Sequence, residues 1–482
     1  MRSLACGTVP GSAARPRRRL AAVLVPVALA WGCAATRGGA PAHIAVAAAT
    51  HYQTISGWEA TTQAGQEAAP LSLYRDRLVA LAVDDLGINR LRLQVRSGAE
   101  NPRDYWSELR AGRLKENWRC VRYATVNDNA DPNVINWKGF HWGDFDESVE
   151  QVVLPMKQRL EARGERLFLN LNYVAFYQQC RNVPYIHTDP EEYAEFMLAA
   201  SLHLRQKYGL VPDAWEVMLE PDKTPFWRGA QLGQAIVATA RRLKAAGFTP
   251  RFIAPSTANM THAPAYFDDL ARVPGALPWL SEISYHRYGI GAPALRSIAQ
   301  RGQRYHLQTA MLEHIGSGYE DLHRDLEVGH VSAWQQFVLA YPARQDNGGA
   351  YFLIRTRPGA PPAVEMASRT RFLRQYFHYI RAGAVRIGAT SSDAAMDPLA
   401  FLNRDGRYVV VVKAEAAGSL AVSGLPAGRY SMSYTTEAGS SPETPITLAP
   451  GAPLQAAIPD RGVLTIAGGP ARGPLSAGSG SR

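Results

Sequence analysis

Only four of the 482 residues are cysteine, and no CxxC pair, HExxH motif or His/Cys cluster with ligand spacing occurs. That excludes a disulfide-rich scaffold and argues against a dedicated transition-metal site. There is no GxxxxGK[ST] loop and no GxGxxG turn after a strand, so no nucleotide-phosphate cradle is encoded and no cofactor is expected. Acidic residues are missing from the first 32 positions, where Arg2, Arg15, Arg17, Arg18 and Arg19 lie. The apolar run behind them, LAAVLVPVALAWG from Leu20 to Gly32, is shorter than the roughly 20 residues that span a membrane.

A basic start, a short apolar run and small residues before Cys33 resemble a bacterial lipoprotein signal, with Ala30-Trp31-Gly32-Cys33 in the lipobox place. Trp31 departs from the usual residue there, which keeps ordinary secretion as the alternative. Cleavage before Cys33 removes five arginines and lowers the formal charge from +10 to +5. No Lys/Arg run flanked by stacking aromatics remains, so nucleic acid is not the expected partner. Membrane contact is expected only through a lipid on Cys33, and the protein is expected at the outer membrane or cell surface, or else in the periplasm or medium. Cys120 and Cys180 remain as one pair. In an oxidising compartment they form a disulfide or stay as separate thiols.

What the chain has in quantity is aromatic and apolar side chains: 10 Trp, 21 Tyr, 14 Phe and 46% hydrophobic residues overall. These suffice for a large core. Short apolar runs, ISGWEAT, INRLRLQV, RLFLNLNY, AWEVMLE, RFIAPS, EISYHRY, LQTAMLE and GAYFLI, alternate with amphipathic helical stretches. Eight such strands predict a (β/α)8 TIM barrel, an α/β fold. Beyond Tyr379 the period changes to two and predicts a C-terminal β-sandwich. The domain plan is therefore a signal peptide (1–32), a linker and strand joining the sandwich (33–50), the barrel (51–378), the sandwich (379–467) and a disordered Gly/Pro/Ser-rich tail (468–482). The segment from Ser97 to Asp144 is long enough to be a lid or binding loop.

Strand alternation turns Arg90, Arg92 and Gln94 inward, with Asn170 and Asn172, with Glu216, Met218 and Glu220, and with Thr309, Met311 and Glu313. Glu220 and Glu313 end strands four and seven, at the rim where barrel active sites lie. Carboxyls facing each other across such a cleft suit retaining glycoside hydrolysis, in which one acid protonates the leaving oxygen and the other attacks the anomeric carbon. The alternative is two rim acids in structural ion pairs.

WEVMLEPD resembles the WEIWNEPD segment of clan A glycoside hydrolases, especially families 39 and 30. TAMLEHIG is similar to their nucleophile strand and ISYHRY to the sixth-strand segment before it. YQTISGWEAT and QYFHYIRAGAVRIGA resemble the family 30 opening and its entry to the sandwich. Together these segments cover about residues 44 to 467. The resemblance implies a retaining hydrolase of a poly- or oligosaccharide, with Glu220 as acid/base and Glu313 as nucleophile. Leu219 stands where the family has an Asn that bonds the sugar 2-hydroxyl. Either Asn172 or another polar group substitutes, or the sugar is differently substituted, or the protein binds carbohydrate without cleaving it.

Further candidates surround the pair. His286 and Tyr288 are expected to orient Glu313 and line the sugar pocket. Arg92 resembles the second-strand Arg that holds the nucleophile, or else pairs with Glu216 in the barrel floor. Trp58 and Glu59 are candidates for substrate contact, with Trp58 alternatively plugging the barrel. His141, Trp142 and Trp227 are candidate stacking platforms in rim loops. Oligomeric state is not specified by any feature of the sequence.

Overall fold

The computed structural model describes residues 40–66, 69–114, 118–176, 186–289, 291–342 and 346–469. Its centre is a closed barrel of eight parallel strands: Gly57–Ala64, Arg90–Arg96, Phe168–Val174, Ala214–Glu216, Phe252–Asn259, Leu280–Tyr288, Gln308–Glu313 and Val331–Tyr341. Closure comes from the eighth strand, which pairs with both the first and the seventh. That strand corrects the sequence reading, which placed GAYFLI in the eighth position. GAYFLI instead lies in Ala350–Arg357, which pairs alongside the end of strand eight and forms a hairpin with Ala360–Met366. Two apolar runs competed for one place, and the run that follows a barrel helix, Tyr319–Glu327, took it.

Helices cover the barrel in the usual α/β manner. Pro190–Tyr208 starts on the Asp189 side chain, which accepts from the Glu191 amide, and ends at the left-handed Gly209. Gly229–Ala245 packs beside it, and their apolar faces join one continuous core with the outward residues of the strands.

The C-terminal part is a sandwich whose strands begin with Val385–Ser391, Met396–Leu402 and Tyr408–Ala414 and end with Gly462–Gly469. Gly418–Ser423, Thr444–Leu448 and Leu454–Ile458 also belong to it; the sequence reading did not single these out. The first strand, Ala42–Thr54, pairs antiparallel with Val385–Ser391 and parallel with Gly418–Ser423, so the start of the described chain is built into the sandwich. One face of the sandwich packs on the barrel, where Leu399, Phe401, Val409, Val411 and Val463 join the cluster of barrel residues, while its own interior, with Ile44, Val410, Val412, Leu420 and Leu464, forms a separate core. Among the described residues no helix is long and apolar enough to cross a membrane.

Candidate active site

Strand alternation carries most of the site into place. Arg90, Arg92, Asn170, Asn172 and Glu216 are all buried inside the barrel, while Leu91, Leu93 and Val95 pack outward. Strand seven departs from the rule. Ala310 and Leu312 join a small interior cluster with Ala214, Ile253 and Ala333, whereas Met311 packs in the outer core and Thr309 donates to the Gly329 carbonyl. The expected inward direction of Thr309 and Met311 is therefore corrected. Pairing with strand six jumps from Tyr285/Met311 to His286/Glu313, so one extra residue, Leu312, shifts the register. After that bulge Glu313 faces the cleft.

Regular pairing of strand four stops at Glu216, and the chain then turns toward strand five. Glu220 takes a left-handed conformation (φ 52°, ψ 57°), as does Ser256 (φ 52°), and the Glu220 amide donates to the Ser256 carbonyl at 3.1 Å. A non-glycine residue in this region costs about 1–3 kcal/mol and persists where surrounding contacts fix it. Those contacts are visible two residues on. Asp222 accepts from the Ala258 and Asn259 amides at 2.7 and 3.0 Å and contacts His262 Nδ1 at 2.9 Å.

The result is a compact group at the C-terminal rim. Single ligand atoms of Glu220, His286 and Glu313 all lie within 4.8 Å of one another. Glu313 accepts from Arg92 Nη2 and, at 3.3 Å, from the Tyr288 hydroxyl. His286 Nδ1 lies 3.0 Å from Glu220 Oε1, and its Nε2 lies 3.5 Å from Arg92 Nη1. Burial pushes the His286 imidazole pKa down, but the Glu313 and Glu220 carboxylates outweigh it and leave it raised. Burial also raises the Tyr288 hydroxyl, and the Glu313 charge adds to this, so Tyr288 stays a proton donor. Two acids and a histidine this close are also a ligand set for a cation. Arg92, bonded to Glu313, already places a fixed positive charge among them.

Several candidates are not part of this group. Asn172 is fully buried, and neither atom of its amide is hydrogen-bonded or exposed, so it does not open onto the cleft. Trp58 is fully buried on the outside of the barrel, stacked on Phe377 at 4.4 Å with its indole N–H on the Ile380 carbonyl. Glu59 lies deep in the barrel, accepting from Arg90 Nε at 2.7 Å. Trp227 is only 1% exposed and is edged by Tyr193. Trp142 is sandwiched between Phe140 and His203, at 5.4 and 4.7 Å. His141 is buried, with Nδ1 2.8 Å from the Asn101 carbonyl oxygen. The structure therefore brings none of these six to the Glu220–Glu313 group, which corrects their reading as substrate contacts; Trp58, His141, Trp142 and Trp227 fill packing positions, and Glu59 and Asn172 lie inside the barrel. Cys120 is disulfide-bonded. Cys180 and Cys33 lie outside the described residues.

Sequence reasoning missed Asp222 and Ser256, which fix the Glu220 turn, and Gln335, whose amide donates to the Leu312 carbonyl at 2.7 Å beneath the bulge. The Pro-Asp pair after Glu220 was the available signal for the first of these.

Comparison with known proteins gives a consistent answer. Residues 383–441 match the model for the glycosyl hydrolase family 30 beta sandwich domain. The catalytic domain of GH30 xylanase C from Talaromyces cellulolyticus superposes with a TM-score of 0.64 at 17% identity, over 88% of this chain and 99% of that one. This chain has the glycoside hydrolase family 30 fold. A glucosidase from Croceicoccus marinus shares that architecture at 12% identity, with a TM-score of 0.57 over 89% of this chain and 98% of that chain. The GH39 enzyme from Xanthomonas axonopodis pv. citri matches at 14% identity and a TM-score of 0.52, over 90% and 99% of the two chains. The resemblance to clan A families 30 and 39 therefore extends over the barrel and the sandwich together. Searching curated proteins by sequence finds no match.

Proposed function

We propose that this family 30-like fold is a retaining glycoside hydrolase acting on a poly- or oligosaccharide. The observation that carries the proposal is the approach of the Glu220 and Glu313 carboxylate oxygens to within 4.8 Å, which suits direct attack on the anomeric carbon and leaves little room for an intervening water. Glu313 receives donors from Arg92 and Tyr288, an environment suited to an anionic nucleophile. Glu220 faces His286 and is the more exposed of the two, an arrangement suited to exchanging a proton with the leaving oxygen. Glu220 protonates that oxygen as Glu313 attacks and forms a glycosyl-enzyme. Water deprotonated by Glu220 then releases the sugar.

The same reading includes export through the signal of residues 1–32, a lipid on Cys33 and a Cys120–Cys180 disulfide, with the domain boundaries moved to the strand ends, since Ala42–Thr54 and Gly462–Gly469 both lie in the sandwich. A second reading, carbohydrate binding without cleavage, is favoured by one observation. Leu219, next to Glu220, is apolar and 3% exposed, so it offers no hydrogen bond to a sugar hydroxyl. Release of reducing sugar from a panel of polysaccharides and aryl glycosides separates the two. Hydrolysis by the parent protein that falls more than about 1000-fold in a folded Glu313→Gln variant supports the hydrolase. Glycan binding by calorimetry with no cleavage selects the binding protein.

A further inference from the structure

The barrel interior beneath the catalytic pair is a connected series of polar side chains. Glu282 holds Arg90 with both oxygens, at 2.8 and 3.0 Å, and Arg90 Nε donates to Glu59 at 2.7 Å. The Asn170 amide nitrogen donates both to Glu59, at 3.2 Å, and to Glu216 Oε2, at 2.8 Å. Glu216 Oε1 is buried without a hydrogen-bond partner and lies 3.9 Å from Arg92 Nη1. Arg92 in turn donates to Glu313. The chain of contacts thus runs from Glu282 to the candidate nucleophile, with Glu216 one guanidinium away from it.

Charge decides what Glu216 can be. If every acid were ionised, Glu59, Glu216 and Glu282 inside the barrel and Glu313 at its rim would place four negative charges against Arg90 and Arg92, with His286 beside Arg92 already paired with Glu220. Arg90 is already taken by Glu59 and Glu282, which leaves Arg92 for Glu216 and Glu313. A carboxylate with a buried unpartnered oxygen pays a desolvation cost that a neutral acid largely avoids. We propose that Glu216 is a positioning residue carried as a neutral carboxylic acid, whose neutrality leaves the Arg92 charge undivided for Glu313. The proposal rests on the reading of Glu313 as the nucleophile.

Other groups acting on Glu216 fit this assignment. Burial pushes its pKa up, Arg92 opposes that, and Glu59 adds to it, with His286 and Ser256 making smaller opposing contributions. The net direction is upward.

The test uses the full-length protein and two readouts. Infrared difference spectra of the parent against Glu216→Gln are expected to show a carboxylic-acid band at pH 7 that the substitution removes. In Glu313→Gln, where Arg92 has lost its anionic partner, that band is expected to titrate about one pH unit lower. The second readout is the acid limb of kcat/KM, expected within about 0.3 pH unit of the parent in Glu216→Gln. Absence of the band, a band unmoved by Glu313→Gln, or an acid limb displaced downward by about one unit would each overturn the proposal. If no glycoside is hydrolysed, the hydrolase reading fails, while the infrared arm still decides the state of Glu216.

Discussion

Tyr288 shows how much one hydroxyl contributes at this site. Its ring is held against His314 at 5.0 Å, and its hydroxyl both donates to Glu313 and accepts from the Ile315 amide, at 3.3 Å each. Tyr288→Phe keeps the ring packing and removes one donor from Glu313. Turnover is expected to fall about tenfold with folding intact, measured as kcat on the best glycoside of the panel. An undiminished kcat would show that Arg92 alone suffices. At this scale the sequence was informative for the centre and misleading at its edge. Arg92 follows period-two alternation, and His286, Tyr288 and Glu313 stand near the C-terminal ends of their strands, although Glu313 reaches the cleft only through the Leu312 bulge and Glu220 through the turn after Glu216. Trp58, His141, Trp142 and Trp227 lie in positions where a large aromatic serves either a sugar or a core, and only tertiary packing distinguishes these.

Two packed elements give measurable consequences away from the chemistry. Trp58 joins the barrel to the segment entering the sandwich by stacking on Phe377 and donating to Ile380. Trp58→Ala is expected to cost about 3–5 kcal/mol in denaturant unfolding, because both the ring volume and a buried hydrogen bond are lost. Helix Pro190–Tyr208 carries Glu195, which is 2% exposed with an unpartnered buried oxygen. Burial, reinforced by Asp128, Glu192 and Glu100, pushes its pKa up from 4.5 to about 8. A raised pKa in the folded state means that the protonated form is the stable one. The contribution is complete below about pH 4.5 and is lost as pH rises through about 8. Glu195→Gln is therefore expected to melt at a higher temperature than the parent at pH 9 and to gain little at pH 5. An equal effect at both values would contradict this. Element identity was legible for seven barrel strands, but strand eight was not, because Val331–Tyr341 and GAYFLI carry similar apolar runs. The bulge at Leu312 is a register event between strands six and seven, which period-two counting along one strand does not reveal.

At the scale of the whole molecule the architecture and the rim chemistry are separate features. A sandwich with its own core packs one face against the barrel, with the first described strand stitched into the sandwich, and this architecture matches a family 30 fold over most of the chain. The rim of that barrel carries two carboxylates, Glu220 and Glu313, with oxygens within 4.8 Å of one another, and the buried apolar Leu219 lies beside the first. The anomeric configuration of the product links the geometry to the proposed reaction. Proton NMR of the first-formed product, followed from the start of hydrolysis of the best glycoside, reads it before mutarotation. Double displacement through Glu313 predicts a product with the same anomeric configuration as the substrate. An initial product of inverted configuration would contradict the assignment of Glu313 as a nucleophile.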